Sequence, residues 1–308
     1  MTRARRSAFA VALLVAAGCR AGGAGEDDLA YVSDYYSFVG ADAAGRVAFA
    51  LDANRGRDGD DFQAELFAAL YDDAAGWVDL AGSGPYANAA RVLDDVPESA
   101  DFRYSGTPAD GVTILSEPNA LTLTTRPIEI RMSDSTGARA RRLGSAAATL
   151  AWQGRRLDGR VIYEFVRFDG WNRLARTYWS TWNDWQSFYL VAGETVGAGG
   201  DDVYLQSQDA DGRREVDGFA VLNGRARRLA DAELTVEDSD QALGVYRWAS
   251  AWSGGWPDAP AARLTLVARD RRSFGNWLIG GFAMTLVTGE LTVGGRAVPV
   301  WGLGELIK

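Results

Sequence analysis

The segment YEFVRFDGWNR, residues 163–173, places ionisable groups among large apolar side chains. Side chains alternate between the two faces of a β-strand, so Tyr163 and Arg167 would share one face and Glu164 would lie on the other. A carboxylate in an apolar interior is costly unless it is paired, and burial raises its pKa. The segment therefore contains the residue types that general acid–base catalysis requires.

The candidate catalytic residues are Glu164, Asp184 and Tyr163. Asp169 is a further candidate acid, and Arg167 or Arg173 could act as the counter-ion of a buried carboxylate. The alternative is that these polar side chains lie on a solvent-facing surface or in turns, where they would have no catalytic role.

Missing residue types exclude several other chemistries. The sequence has no histidine, its only lysine is Lys308 and its only cysteine is Cys19. A Ser-His-Asp triad, a Cys-His pair and zinc sites built on histidine or cysteine are therefore excluded. A lysine Schiff base with pyridoxal phosphate and a P-loop lysine have no plausible residue. Catalysis would have to use carboxylates, hydroxyl groups, arginine or backbone dipoles, and we expect no cofactor.

Tryptophan is concentrated in RTYWSTWNDWQSFYL, residues 176–190, which contains three of the eleven tryptophans of the chain. A large aromatic ring buries roughly 150–250 Å², so the segment could pack a barrel core, line a cavity for a hydrophobic ligand or stack on sugars. A turn or bulge at TWND would be needed for all three rings to share a face. The candidate ligand-binding residues are Trp179, Trp182, Trp185, Phe188 and Arg173.

A second polar segment, LDANRGRDGDDFQAE at residues 51–65, partly resembles a calcium-binding loop. Four residues match EF-hand positions, but Gly56 stands where a ligand is needed and no helices flank the segment. We therefore predict no metal site, and we expect a loop in which Arg55 or Arg57 pairs with the neighbouring acids.

Most of these groups must be positioned by β-strands. Short runs of β-branched and aromatic residues, such as VIYEFVRF and FAMTLVTGELTV, are bounded by turn sequences such as LNGR and VGGR. Helical periodicity is scarce, although GSAAATLAWQG could be a short helix or a linker strand. The pattern predicts an all-β fold of antiparallel sandwiches or barrels.

The length of the chain favours two barrels. The segment at residues 135–158 is rich in Gly, Ala and Arg and poor in aromatic residues, so we place the boundary within it. The predicted barrels are residues 29–145 and residues 146–308.

The N-terminus resembles a bacterial lipoprotein signal peptide. Three arginines precede the apolar run AFAVALLVAAG, which is too short to span a bilayer comfortably, and LVAAGC resembles a lipobox. The resemblance implies a signal peptide at residues 1–18, a lipid on Cys19 and a tether at residues 19–28. Arg20 favours the outer membrane, so we expect a periplasmic position in the cell envelope. The alternative is an ordinary signal peptide with a chance cysteine.

The charge of the chain limits its partners. Loss of the three leader arginines would lower the formal net charge from −9 to −12. Such an acidic protein is repelled by nucleic acid and by anionic lipid surfaces. We therefore expect no nucleic-acid partner, and we expect membrane contact only through the lipid on Cys19.

The second half of the chain is similar to the hydroxyneurosporene synthase family, which includes carotenoid hydratases. The similarity begins at Trp182 with WNDWQSFYLVAGETVGAGGDDVYLQSQDADG, continues in RWASAWSGGWPDAPAARLTLVA and ends with TGELTVGGRAVPVWGLGELIK. The resemblance implies two consecutive lipocalin-like antiparallel β-barrels. It also implies a large hydrophobic substrate or ligand.

Together, these features predict a lipid-anchored cell-envelope protein that binds a hydrophobic or amphipathic small molecule in an aromatic barrel cavity. Two alternatives stay open. One is a cofactor-free hydratase, isomerase or cyclase that acts on a hydrophobic substrate through a buried carboxylate or tyrosine. The other is a carbohydrate-binding or structural lipoprotein, whose tryptophans would form an open, exposed face.

Overall fold

The structure is a computed structural model. It describes residues 29–58, 61–85, 93, 99, 101–136, 139–169, 185–193, 201–210, 213–229, 232–242, 246–257, 261–274 and 282–307. All regular elements in these ranges are β-strands, which confirms the predicted all-β fold. Within the same ranges, no helix is both long enough and apolar enough to cross a membrane.

Eleven strands form the first sheet. They are β1 (Leu29–Asp42), β2 (Gly45–Asp58), β3 (Asp61–Asp72), β4 (Gly76–Val78), β5 (Gly84–Pro85), β6 (Arg103–Thr107), β7 (Gly111–Ser116), β8 (Leu121–Thr125), β9 (Glu129–Thr136), β10 (Arg139–Trp152) and β11 (Arg155–Asp169). Their order is β4-β3-β2-β1-β11-β10-β8-β7-β6, with β5 beside β3 and β9 beside β10.

Nine strands form the second sheet. They are β12 (Trp185–Ala192), β13 (Asp201–Ala210), β14 (Arg213–Leu222), β15 (Arg225–Arg228), β16 (Glu233–Ala242), β17 (Tyr246–Trp256), β18 (Ala262–Phe274), β19 (Phe282–Val293) and β20 (Arg296–Ile307). Their order is β15-β14-β13-β12-β20-β19-β18-β17-β16.

The two sheets share one connectivity. In each, the first four strands form a meander, the later strands form a second meander, and the first strand pairs antiparallel with the last. Thus β1 pairs with β11 in the first sheet, and β12 pairs with β20 in the second. Each sheet is a curled antiparallel half-barrel, so the prediction of two consecutive barrel units is confirmed.

Tight turns join several neighbouring strands. Asn223 and Gly224 connect β14 to β15 with φ angles of 52° and 72°, and Gly294 and Gly295 connect β19 to β20 with φ angles of 57° and 82°. Positive φ at both central residues is the geometry of a type I′ hairpin, whose twist matches that of the flanking strands. The turn sequences LNGR and VGGR therefore mark hairpins, as predicted.

The first sheet extends beyond the predicted boundary between residues 145 and 146, since its last strand ends at Asp169. Strand β10 runs without a break across that point, and both β10 and β11 belong to the first sheet. The Ala-rich sequence is a buried strand, neither a linker nor a helix, because Ala146 and Ala148 face the core of the first sheet. Gly144 is needed there, since a Cβ atom would lie 2.7 Å from the carbonyl oxygen of Glu129.

Three apolar cores hold the fold together. One core contains only residues of the first sheet, among them Phe38, Phe49 and Leu150. A second contains only residues from β12 onwards. The third combines side chains from both sheets, including Tyr35 and Tyr189, and therefore lies between them. This third core, the inter-sheet core, surrounds the candidate site.

Candidate functional site

Glu164 lies within the inter-sheet core. It is on β11, where it pairs in register with Tyr35 on β1 and with Leu143 on β10. Tyr35, Leu143 and Ile162 all belong to the inter-sheet core, so this face of the first sheet faces the second sheet. Glu164 is only 6% exposed. Of the two alternatives for this candidate carboxylate, the structure therefore shows the buried position and not the solvent-facing one.

The carboxylate of Glu164 has three donors. Arg141 Nε donates to Oε1 at 2.8 Å, and the hydroxyls of Tyr189 and Tyr204 donate to Oε2 at 2.9 Å and 3.1 Å. Both tyrosines belong to the second sheet, so Glu164 joins the two halves of the fold. Two oxygens that accept three donors, one of them a guanidinium, are the surroundings of a carboxylate ion.

The counter-ion of Glu164 in the described residues is not Arg167, and Arg173, the other predicted counter-ion, lies outside them. The counter-ion is Arg141, which is 2% exposed and also donates to the Tyr204 hydroxyl. Arg167 instead forms an exposed pair with Asp169, with Nε 3.2 Å from Oδ2. Alternation explains the difference, because Arg167 is three residues from Glu164 and therefore lies on the opposite face of β11. Asp169 is exposed and is not part of the buried cluster.

The tyrosines of the site are held as neutral hydroxyls. Burial, followed by the charge of Glu164, raises the pKa of Tyr189 well above its ordinary value. Burial also raises the pKa of Tyr204, although the nearby Arg141 opposes the shift. The ring of Tyr35 stacks on that of Tyr189 with centroids 4.7 Å apart. Packing therefore fixes the hydroxyl donors that face Glu164.

Glu305 occupies the matching position in the second sheet. It lies on the last strand, β20, and pairs with Ser187 on the first strand, β12, and with Met284 on β19. Glu164 has the same relation to β1 and β10 in the first sheet. The Ser187 hydroxyl donates to Glu305 Oε2 at 3.1 Å. Burial, together with the charges of Asp52 and Glu164, raises the pKa of Glu305 to about 8.

The two glutamates therefore have different surroundings. Burial and nearby negative charge favour the protonated form of Glu305, and Glu164 forms an ion pair with Arg141. Pairs of carboxyl groups whose surroundings separate them in this way provide the acid and the base of many acid–base enzymes. The arrangement can donate a proton from one side of the interface and accept one on the other.

Two further acids lie on the same face of the first sheet. The β2–β3 register places Asp52 opposite Phe67 and Asn54 opposite Glu65, so the two acids are diagonal neighbours. Burial raises the pKa of Asp52 to about 6 and that of Glu65 to about 7. Asp52 accepts hydrogen bonds from Ser33 at 2.6 Å and from the side-chain amide of Asn54 at 3.0 Å.

The segment at residues 51–65 is therefore not the predicted loop. It forms the end of β2 and the start of β3. Arg55 pairs at 2.7 Å with Asp34, on the face of the first sheet that points away from Glu164. Among the residues that the structure describes, no group of three acids is placed to hold a metal ion.

Tyr163 and Glu164 do not form one site. The Tyr163 hydroxyl donates to Asp34 at 2.6 Å inside the first core, where Asp34 also pairs with Arg55. Adjacent residues of a strand point to opposite faces, so Tyr163 and Glu164 lie on opposite faces of the first sheet. Asp184, the third candidate, lies outside the described residues.

The candidate ligand-binding residues separate in the same way. Phe188 is fully buried in the second core and packs edge-on against Trp252 with ring centroids 5.0 Å apart. Trp185 is half-buried at the first position of β12, on the face that carries Ser187 and Tyr189. Trp179, Trp182 and Arg173 lie outside the described residues, as does Cys19. Every tryptophan within the described ranges is buried or half-buried.

Most residues of the site were not predicted from the sequence. Arg141, Tyr189, Tyr204 and Glu305 were not candidates, and together with Glu164 they form the cluster. A weak signal exists for Glu305, since it is the only charged residue in the otherwise apolar run VPVWGLGELI. A charged residue in the middle of a buried strand usually has a specific partner, and only the fold identifies it.

Comparisons with known proteins identify the fold. No protein-family model matches the sequence, and no curated protein matches it. Among solved structures, a provisionally assigned AttH of Nitrosomonas europaea superposes with a TM-score of 0.58 at 12% identity, over 92% of this chain and 94% of the other. Kievitone hydratase from Nectria haematococca gives 0.55 at 10% identity, over 91% and 89%. CghA in complex with Sch210972 gives 0.53 at 10% identity, over 91% and 88%. The chain therefore has the tandem lipocalin-like β-barrel fold of these three proteins.

Proposed function

We propose that this protein binds a hydrophobic or amphipathic small molecule between its two sheets and catalyses a cofactor-free acid–base reaction on it. The reaction would be of the hydratase, isomerase or cyclase type. One observation carries the proposal: Glu164 and Glu305 occupy matching positions on the facing sheets, Glu164 in an ion pair with Arg141 and Glu305 with no arginine partner among the described residues.

The chemistry would use Glu305 as the acid and Glu164 as the base. In a hydration, the proton of Glu305 would add to one carbon of a double bond while the oxygen of a water molecule bonds to the other carbon. That water would lose a proton to Glu164, directly or through the hydroxyl of Tyr189 or Tyr204. A proton transfer from Glu164 back to Glu305 would restore the starting state. In an isomerisation, the same two groups would add and remove a proton without water.

Two lines of support come from the surroundings of the site. The inter-sheet core is rich in aromatic side chains, which favour an apolar ligand. One of the structural neighbours is named a hydratase, and another was crystallised with a small molecule. By contrast, the described tryptophans form no exposed face of the kind that stacks on sugars.

A binding protein without turnover is the second candidate. It is favoured by the ion pair of Glu164 with Arg141, because a buried and fully partnered carboxylate can orient the two sheets without taking part in a reaction. In that case, the inter-sheet core would hold the ligand, and Glu164 and Glu305 would transfer no proton.

The test combines ligand retention with solvent exchange. The Cys19→Ser chain, which would carry no lipid, is purified without detergent, examined by native mass spectrometry and then incubated in D2O with an organic extract of the producing cells. An acid–base enzyme should convert one extracted compound, with gain of deuterium or of one water. Glu305→Gln should abolish this conversion, because the amide has no acidic proton to transfer. Tyr163→Phe, on the face of the first sheet that points away from Glu164, should retain it.

The outcomes separate the candidates. Retention of an apolar compound that is recovered unchanged and unlabelled from D2O would favour the binding protein. Conversion that persists in Glu305→Gln would refute the assigned proton donor. Tyr189→Phe is a second test, since it removes one donor to Glu164 and should lower the rate while retaining the ring.

We also propose that the protein is held in the bacterial cell envelope by a lipid on Cys19. The proposal rests on the resemblance of residues 1–19 to a lipoprotein signal and its lipobox. An anchored protein beside a bilayer would have direct access to hydrophobic molecules, which agrees with an apolar ligand.

A further inference from the structure

Asp52 and Glu65 are acids that have no arginine partner among the described residues. In the part of the chain that the structure describes, no arginine lies within ion-pair distance of either carboxylate. Arg55 faces the first core with Asp34, and Arg141 is shared between Glu164 and Asp217. Buried carboxylates are normally paired with a cation, so the buried Glu65 and the half-buried Asp52 are exceptions that require an explanation.

Two polar atoms in this group have no hydrogen-bond partner: one oxygen of Glu65 itself and the hydroxyl of Tyr35. Glu65 is 6% exposed and its Oε2 accepts no hydrogen bond. Tyr35 is 3% exposed and its hydroxyl is also unpartnered. Tyr35 pairs in register with Asp52 and points to the same face. An unsatisfied buried polar atom costs roughly 1–3 kcal/mol, so two of them on the sheet face that carries Asp52 indicate a missing partner that can donate hydrogen bonds.

Apolar rings border this group of acids. Phe67, which pairs in register with Asp52, packs edge-on against Phe282 of the second sheet with ring centroids 5.2 Å apart. Phe282 and the half-buried Trp185 both pair with Ile307. At this end of the interface, the acids Asp52 and Glu65 therefore lie beside the aromatic rings of Phe67 and Phe282.

We propose that the molecule bound between the sheets carries a protonated amine, which docks on Asp52 and Glu65. The Tyr35 hydroxyl accepts a further N–H of the ammonium group, and the apolar part of the molecule lies against Phe67 and Phe282. This inference deepens the proposed function and rests on it, since it names the substrate class of the same interface.

Other ligand chemistries fit less well. A carboxylate or phosphate would add negative charge to an acidic site, and an alcohol would leave both carboxylates unbalanced. A metal ion would need a third acid, which the described residues do not bring to this place. An ammonium group supplies the charge and three donors at once, and it is also attracted to aromatic faces.

The amine should bind more tightly as the acids ionise. Burial raises the pKa of Asp52 to about 6 and that of Glu65 to about 7, so both lose protons between pH 5 and pH 8. Binding of a cation favours the ionised carboxylates and must therefore release protons in this range. Glu305, whose pKa is raised to about 8, keeps its proton for the acid–base step.

The experiment compares three probes with one apolar tail: 4-phenylbutylamine, 4-phenylbutan-1-ol and 4-phenylbutyrate. Isothermal titration calorimetry of the full chain at pH 8 should show that the amine binds at least about tenfold more tightly than the alcohol or the carboxylate. This corresponds to a difference of about 1.4 kcal/mol in binding free energy. The affinity of the amine should fall at pH 5.5, while that of the alcohol should not change. Titration at pH 6.5, where the acids are partly protonated, in buffers of different ionisation enthalpy should detect the released protons.

Variants locate the effect. Asp52→Asn and Glu65→Gln should each reduce the affinity for the amine towards that of the alcohol, and Tyr35→Phe should reduce it less. Glu233→Gln, an exposed acid on β16, is the matched control and should change nothing. Thermal unfolding of each variant verifies that it is folded before titration.

Equal affinity for the amine and the alcohol would overturn the inference, as would undiminished amine binding in the Asp52→Asn/Glu65→Gln double variant. Failure of the proposed catalysis has a different signature. In that case the amine would still bind selectively, but no extracted compound would gain deuterium or water with the Cys19→Ser chain.

Discussion

The hydroxyl of Tyr189, in the second sheet, donates a 2.9 Å hydrogen bond to Glu164, in the first. This contact places the Glu164 cluster between the two sheets, outside the core that each sheet encloses. Barrel interiors are filled in this protein by closely packed apolar side chains. A junction between two sheets can combine polar groups from both, because each contributes one face.

Loss of the Glu164 charge should destabilise the fold. Glu164→Gln leaves the buried Arg141 guanidinium with only Asp217, 3.9 Å away, as a counter-ion, and removal of one partner of a buried pair costs roughly 3–5 kcal/mol. Urea denaturation at pH 7 measures the change. Glu117→Gln is the matched control, because its pair with Arg103 is exposed and should contribute no more than about 1 kcal/mol. Equal effects of the two substitutions would contradict the buried ion pair.

Stability should fall as the pH rises towards 8. The pKa of Glu305 is raised to about 8 in the folded protein, so the folded state binds more protons than the unfolded state between about pH 4.5 and pH 8. Its contribution is therefore favourable at the acidic end and is lost as the pH approaches 8. The raised pKa values of Glu65 and Asp52 act in the same direction.

Glu305→Gln tests this linkage. The amide resembles the protonated acid and does not ionise, so the variant should be more stable than the wild type at pH 8 and should lose less stability from pH 5.5 to pH 8. Urea midpoints at the two pH values provide the comparison. A wild type whose stability rises steadily with pH would argue against a protonated Glu305.

Phe188 and Trp185 should respond differently to truncation. Phe188→Ala removes a fully buried ring from the second core and should cost about 3–5 kcal/mol, as large-to-small changes in cores do. Trp185→Ala removes a half-buried ring at the edge of the interface, so its loss of stability should be smaller and its effect on ligand binding larger. Chemical denaturation and probe titration of both variants separate core packing from ligand contact. A larger stability loss for Trp185→Ala would reverse the two assignments.

Cys19→Ser should release the protein from membranes. The thiol is the only site in the chain for thioether-linked lipid, so the variant should incorporate no labelled fatty acid and should appear in the soluble fraction. Fractionation of cells labelled with a palmitate analogue measures both. A variant that stays in the membrane fraction without label would refute the lipid anchor.

Much of the fold was predictable because it depends on local chemistry. Strands at VIYEFVRF and FAMTLVTGELTV and turns at LNGR and VGGR all occur where predicted. The segment GSAAATLAWQG was harder, since small residues suit a linker, a helix or a strand that packs closely. Its assignment to β10 depends on contact with Ile128 and Glu129, which no local pattern reveals.

The site was predictable only in part. Alternation along β11 by itself determines that Glu164 and Tyr163 face opposite ways, and the composition by itself excludes histidine, cysteine and lysine catalysis. The tertiary structure decided which face of that strand is the interface, and it brought Arg141, Tyr189 and Glu305 to Glu164. The physical reason is that a carboxylate acquires its function from the charge, hydroxyl donors and burial around it. In this protein those come from strands far apart in the chain, which meet only when the two sheets pack.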